Sequence, residues 1–203
     1  MPNVLADIVL SRRISGLVLC NYFRFPLNDA APLVRLLEGR TLTALTMRQF
    51  PRVVPIDPRF IAAIRSSRLV RLNLSDVQLF ADLPAALSLI TAVTAHPTLQ
   101  DLCLLGNRLH FAEFVAPVAK ALRALVAADC LTSLNILRCG LSAAGLAPLV
   151  AALPAVRRLA WLDIRFNLHS NNNEAAFMDQ LLRAVQRNAS LRTLKMLVPM
   201  DES

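Results

Sequence analysis

The side chains of this sequence that could bind a metal or act as nucleophile or base are three histidines, His96, His110 and His169, and four cysteines, Cys20, Cys103, Cys130 and Cys139. Their spacing supports neither chemistry. A metal site needs converging ligands, and these residues form no CxxC or HExxH interval. The five glycines, Gly16, Gly39, Gly106, Gly140 and Gly145, make no GxGxxG or phosphate loop, and no GxSxG is present. The histidines read as solvated loop residues, and the cysteines as free thiols of a reducing compartment, with Cys139 buried against backbone groups. No catalytic residue, metal or cofactor is expected. What remains is recognition chemistry: Trp161-Leu-Asp163-Ile-Arg165 sets an indole, a carboxylate and a guanidinium at alternate positions, and Trp and Arg are enriched among residues that dominate binding energy.

The elements that must hold these residues are visible as a repeat. The segment Leu99-Gln-Asp-Leu102-Cys-Leu104-Leu-Gly-Asn107-Arg-Leu109 follows LxxLxLxxNxL, and related segments start at Ile14, Leu42, Leu69, Leu131, Leu159 and Leu191, at intervals of 28, 27, 30, 32, 28 and 32 residues. The ninth position carries Asn107, Cys139 and Asn167, with Phe50 and Val77 departing from it. On these residues the chain resembles a leucine-rich repeat protein over nearly all its length, and its repeat length resembles the ribonuclease-inhibitor-like subclass. The resemblance implies an α/β solenoid of about seven repeats, with a curved parallel sheet inside, helices outside, and protein recognition on the concave face. Ran GTPase-activating proteins of that subclass use a loop arginine, and Arg108 and Arg138 follow strands here. An arginine after a strand is commonplace, so this role ranks below binding.

Strand alternation points positions four and six of each repeat to one side and positions three, five and seven to the other. The first pair is leucine-rich and predicts a core. The second set, read across repeats, brings Leu105 and Leu137 together as an exposed apolar patch beside Trp161, Asp163 and Arg165, with Arg71 and Asp101 on the same face. These seven residues are the expected partner-binding set. Between strands, Asp57-Pro58 predicts a capped helix start, and Leu83–Thr94, Ala143–Leu153 and Glu174–Arg187 show helical spacing, the last with Phe177, Leu181, Leu182 and Val185 as its apolar stripe. Pro117 predicts a late start or a kink for the helix within 111–128. Residues 169–173 read as a polar loop, and Asn188-Ala-Ser190 as a helix end rather than a glycosylation site.

Composition is consistent with one packed unit: 203 residues, 55% apolar and 18% charged, with no linker-like stretch. The expected organisation is a single domain over 1–203, with a capping segment at 1–13 (Val4, Leu5, Ile8 and Val9 facing the stack), repeats over 14–198, and a tail at 199–203, the last strand being either an edge blunted by Pro199, Asp201 and Glu202 or a docking surface. The uncharged stretch 83–100 is broken by Pro84, His96 and Pro97 and does not suit a membrane span. Asp7 interrupts the apolar part of the N-terminus, so no secretory signal is read and a cytoplasmic location is expected, with a mitochondrial one as the alternative. The net charge of +8 comes from arginines dispersed along the chain, which predicts a solvated face rather than a nucleic-acid footprint. A protein partner is expected and a membrane partner is not. A structural subunit of a larger complex is the alternative reading.

Overall fold

The computed structural model describes residues 10–20, 30–49, 56–109, 115–128, 130–168 and 174–197. The expected capping residues Val4 to Val9, Phe50, His110, the loop at 169–173 and the tail lie outside these ranges. Seven strands, β1 (Gly16–Cys20), β2 (Ala44–Arg48), β3 (Arg71–Ser75), β4 (Asp101–Cys103), β5 (Ser133–Asn135), β6 (Trp161–Asp163) and β7 (Thr193–Lys195), form one open parallel sheet in chain order. Among the described residues six complete α-helices alternate with them: α1 (Ala31–Glu38), α2 (Pro58–Ser66), α3 (Leu83–Thr94), α4 (Val115–Val126), α5 (Ala143–Ala152) and α6 (Glu174–Arg187). The architecture is an α/β repeat solenoid.

The core follows from the alternation. Leu45, Met47, Leu72, Leu74, Leu102, Leu104, Leu134, Ile136, Leu162 and Ile164 are all buried, as are the repeat-opening Leu42, Leu69, Leu99, Leu131 and Leu159. The equivalent residues of the two outer repeats, Ile14, Leu17, Leu19, Leu191, Leu194 and Met196, are half-buried, because among the described residues each has a stacked strand on one side only. Helices close the core from one side. Asp57 caps α2 by accepting from the Phe60 amide at 2.8 Å, Asp82 caps α3, and Ser142 caps α5. Pro117 falls in the first turn of α4, as its missing N–H requires. Helix α6 matches its expected bounds, and of its expected stripe Phe177 and Leu181 are buried and Val185 packs half-buried against the core, whereas Leu182 is 53% exposed and Ala184 is buried in its place.

Two ladders of side chains satisfy the backbone where strands and helices meet. At the strand exits, Asn107 Oδ1 accepts from the Val77 and Leu79 amides of the preceding repeat (3.1 and 2.9 Å), while Nδ2 donates to the carbonyls of Leu74 and Leu104. Asn167 repeats the pattern with Cys139, Leu141, Ile136 and Ile164. Cys139 fills the same position with its thiol, which donates to the Leu104 carbonyl at 3.1 Å and has the Leu137 carbonyl at 3.8 Å. Burial pushes that thiol's pKa far up, so it stays protonated and structural.

At the strand entries, Asn188 Oδ1 accepts from the Ser190 and Leu191 amides and Nδ2 donates to the Val156 carbonyl, so the sequon asparagine is consumed by the fold. His96 does the same work one half of the stack away. Its Nδ1 accepts from the Thr98 and Leu99 amides (3.2 and 3.0 Å), and its Nε2 lies 3.2 Å from Ser67 Oγ. This corrects the reading of His96 as a solvated loop residue: it is buried, and its imidazole replaces an amide in the ladder. Desolvation lowers its pKa below the ordinary histidine value, against a smaller raising effect of the Ile64 backbone.

Candidate functional site

The pairing register sets the helix-free face in columns. Gly16, Ala44, Arg71, Asp101, Ser133, Trp161 and Thr193 lie side by side, and so do Val18, Thr46, Asn73, Cys103, Asn135, Asp163 and Lys195. The ladder continues past the strands, where Gly106 N donates to Leu137 O at 2.9 Å and Arg138 N to Arg165 O at 3.0 Å. Leu105, Leu137 and Arg165 are therefore neighbours at the strand exits.

Within the columns lies a depression of about 250 Å³, lined by Arg71, Asn73, Asp101, Cys103, Ser133, Asn135 and Trp161 together with Thr46. Arg71 Nε stands 3.4 Å from Asp101 Oδ2, with both side chains largely in solvent, an arrangement that contributes little to stability and remains available to a partner. Lys195 Nζ sits 5.3 Å from the Trp161 ring centroid, which steadies the indole by a cation–π contact. Trp161 is half-buried.

The column containing Asn73, Asn135 and Asp163 also serves the backbone. Asn73 Oδ1 accepts from the Ser75 amide (3.1 Å), Asn135 Oδ1 from the Leu137 amide (3.0 Å) and Asp163 Oδ1 from the Arg165 amide (3.1 Å). Each side chain meets the N–H two residues on, as short polar side chains do in turns. The amide oxygens of Asn73 and Asn135 are thereby committed, and their Nδ2 groups remain as donors at the depression.

No family model and no curated protein sequence matches the chain. Among solved structures, one titled as leiomodin-1 actin-binding site 2 matches with a TM-score of 0.53 at 14% identity, over 69% of this chain and 78% of that one. The tropomodulin C-terminal domain of Caenorhabditis elegans matches with a TM-score of 0.48 at 13% identity, over 90% of this chain and 92% of that one. The chain folds as a leucine-rich-repeat-like solenoid. At these identities the likeness concerns the fold alone.

The solenoid separates the seven expected site residues into three places. Arg71, Asp101 and Trp161 border the depression. Leu105, Leu137 and Arg165 form a second group at the strand exits, and both leucines are half-buried rather than exposed as the alternation suggests. Asp163 is on the expected face but is only 1% exposed, which corrects its reading as a surface carboxylate. Arg165 lies over it, with Nε 3.0 Å from Oδ1 and Nη2 2.7 Å from Oδ2. Those hydrogen bonds raise the Arg165 pKa further, keeping the guanidinium charged and fixed in place. Asp163 thus positions Arg165.

Sequence reasoning missed Asn73 and Asn135 as lining groups, and it missed Phe166, which is 53% exposed beside Arg165. A signal for Phe166 was present. It occupies the eighth repeat position, where Gln49, Asp76, Gly106, Arg138 and Phe166 all have positive φ, so the side chain is thrown outward as the chain leaves the strand. Among the described residues no cluster of His, Cys, Asp or Glu could hold a metal ion, and no helix is long and apolar enough to cross a membrane.

Proposed function

We propose that the chain is a protein-recognition module of the ribonuclease-inhibitor-like kind, one domain over 1–203, whose helix-free, concave face binds a protein partner. The observation that carries this reading is the depression walled by Trp161, with Arg71, Asp101 and the Nδ2 donors of Asn73 and Asn135 around it. An aromatic anchor held by Lys195 and ringed by polar groups matches the make-up of interface hot spots. Arg165, with Leu105, Leu137 and Phe166 about it, supplies a second contact region on the same face. The leiomodin-1 structure is titled as an actin-binding site, and a protein ligand for this fold supports the class of partner proposed here.

The test is affinity capture from a cell extract with the full chain and with Trp161→Ala. A protein retained by the wild type and lost with the variant, at unchanged thermal stability, is the expected result. Equal capture by both overturns the assignment of the depression. Actin is the first purified candidate, by cosedimentation.

A structural subunit of a larger assembly is the second reading, favoured by the half-exposed Leu191, Leu194 and Met196 of the last repeat and the exposed Leu182 and Leu197 near them. Light scattering separates the two: a stable monomer favours the recognition module, and association or aggregation of the purified chain favours the subunit.

A further inference from the structure

The arginines that are dispersed along the chain are aligned in space. In a solenoid every helix-to-strand turn lies on one edge and every strand-to-helix turn on the other. Backbone bonds confirm the stacking on the first edge: the carbonyls of Ser15, Thr43, Val70, Gln100, Thr132 and Ala160 each accept the amide of the next repeat's equivalent residue. The turns leading into these strands, with the residues before β1, carry Arg12, Arg13, Arg40, Arg68, Arg157, Arg158 and Arg192, all exposed, and among the described residues no carboxylate. The opposite edge carries Asp57, Asp76, Asp82 and Asp163 against Arg48, Arg59, Arg108, Arg138 and Arg165, with Asp57 paired to Arg59 and Asp163 to Arg165, so its charges nearly cancel. The excess positive charge is therefore concentrated on one edge.

Helix dipoles account for only part of this. All six helices end at the arginine edge, and at about half a negative charge each they offset roughly three of the seven cations. Among the described residues, none of the seven has an ion-pair partner.

We propose that this edge binds the phosphate backbone of double-stranded nucleic acid, independently of the helix-free face. Arginine is the residue suited to bidentate phosphate contact. The cations fall into two groups, Arg12, Arg13, Arg40 and Arg68 on the first three repeats and Arg157, Arg158 and Arg192 on the last two. Arg68 and Arg158 are three repeats apart. At about 4.8 Å per strand spacing that is about 15 Å, comparable with the major-groove width of about 12 Å, so the two groups fit backbones on either side of a groove. The turns hold no exposed large apolar side chain and, among the described residues, no aromatic one. That removes both the stacking platform a single strand needs and the anchor a bilayer needs.

The experiment measures anisotropy of a labelled mixed-sequence DNA duplex of about 20 base pairs with the full chain, from about 50 to 200 mM salt. Binding should weaken steeply, with a log–log slope of about −4.5 to −6.3 for five to seven phosphate contacts. The double variant Arg68→Gln, Arg158→Gln should lower affinity about tenfold or more and make the slope shallower by about 2. The variant Arg108→Gln, Arg138→Gln, with the same loss of charge on the opposite edge, should leave both unchanged. Equal weakening by the two variants would reduce the effect to net charge and overturn the edge assignment. The proposal also fails if the duplex does not bind at the lowest salt, or if the single strand, phosphatidylserine vesicles or polyglutamate bind more tightly than the duplex.

Discussion

His96 and Asn107 show at the scale of single residues how a repeat is held together by groups that look functional in the sequence. His96 Nδ1 accepts two amides, so the neutral tautomer with hydrogen on Nε2 is the one that fits, donating to Ser67 Oγ, which in turn donates to the Ile64 carbonyl. Protonation would set a hydrogen on Nδ1 against two N–H groups. The folded pKa lies below the unfolded value of about 6.5, so the unfolded chain takes up the proton first as pH falls. The contribution is complete above that pH and is lost as pH drops toward the folded pKa, at up to about 1.4 kcal/mol per pH unit. Urea unfolding should show this acid loss in the wild type and a smaller one in His96→Asn, whose amide can act as Asn188 does. Replacing Asn107 by Ala takes the acceptor from the Val77 and Leu79 amides and a donor from the Leu74 carbonyl, all in a buried setting, while the Leu104 carbonyl keeps the Cys139 thiol. A loss of about 3 kcal/mol or more in the same assay is expected.

At the scale of elements, the strand is the unit in which fold and recognition divide. One face of β4 and β6 carries Leu102 and Leu162 into the core, and the other carries Asp101 and Trp161 to the depression. Leu102→Ala should lower unfolding stability by about 2–5 kcal/mol, because it leaves a cavity in a column of stacked leucines. Trp161→Ala, one residue type up the opposite face, should shift the melting temperature little while weakening the partner complex by about 2 kcal/mol. Comparable destabilisation by both would contradict the division of faces. The turn after each strand adds a second element-level rule. Its eighth position is left-handed in every described repeat, and the only glycine among them is Gly106, where an added Cβ would meet the Asp76 carboxylate.

At the scale of the whole molecule, stability in a stack is a sum of nearest-neighbour interfaces, so it should peak where a repeat has two neighbours. The outer leucines Leu17, Leu19, Leu191 and Leu194 are half-buried while their counterparts in β2 to β6 are buried. Native-state hydrogen exchange should therefore show the strongest protection in β3, β4 and β5 and the weakest in β1 and β7. Uniform protection along the sheet would mean that the stack unfolds as one cooperative unit. Charge is also organised at this scale, since one-per-repeat arginines become an edge once the repeats are stacked.

The sequence by itself determined the seven-fold period, the inward leucines, the Asp57 cap, the bounds of α6 and the ladder roles of Asn107, Cys139 and Asn167. These depend on local periodicity and on backbone groups that every repeat must satisfy in the same way. The tertiary structure decided which polar side chains remain free to act. Asp163 is consumed by the Arg165 amide and guanidinium, and His96 by two amides and a serine, because stacking removes water and forces each buried N–H to find an acceptor nearby. Trp161 keeps a place beside a depression because the third column is not needed by the backbone. Burial of these groups by the neighbouring repeats is a property of the stack, and no single repeat displays it.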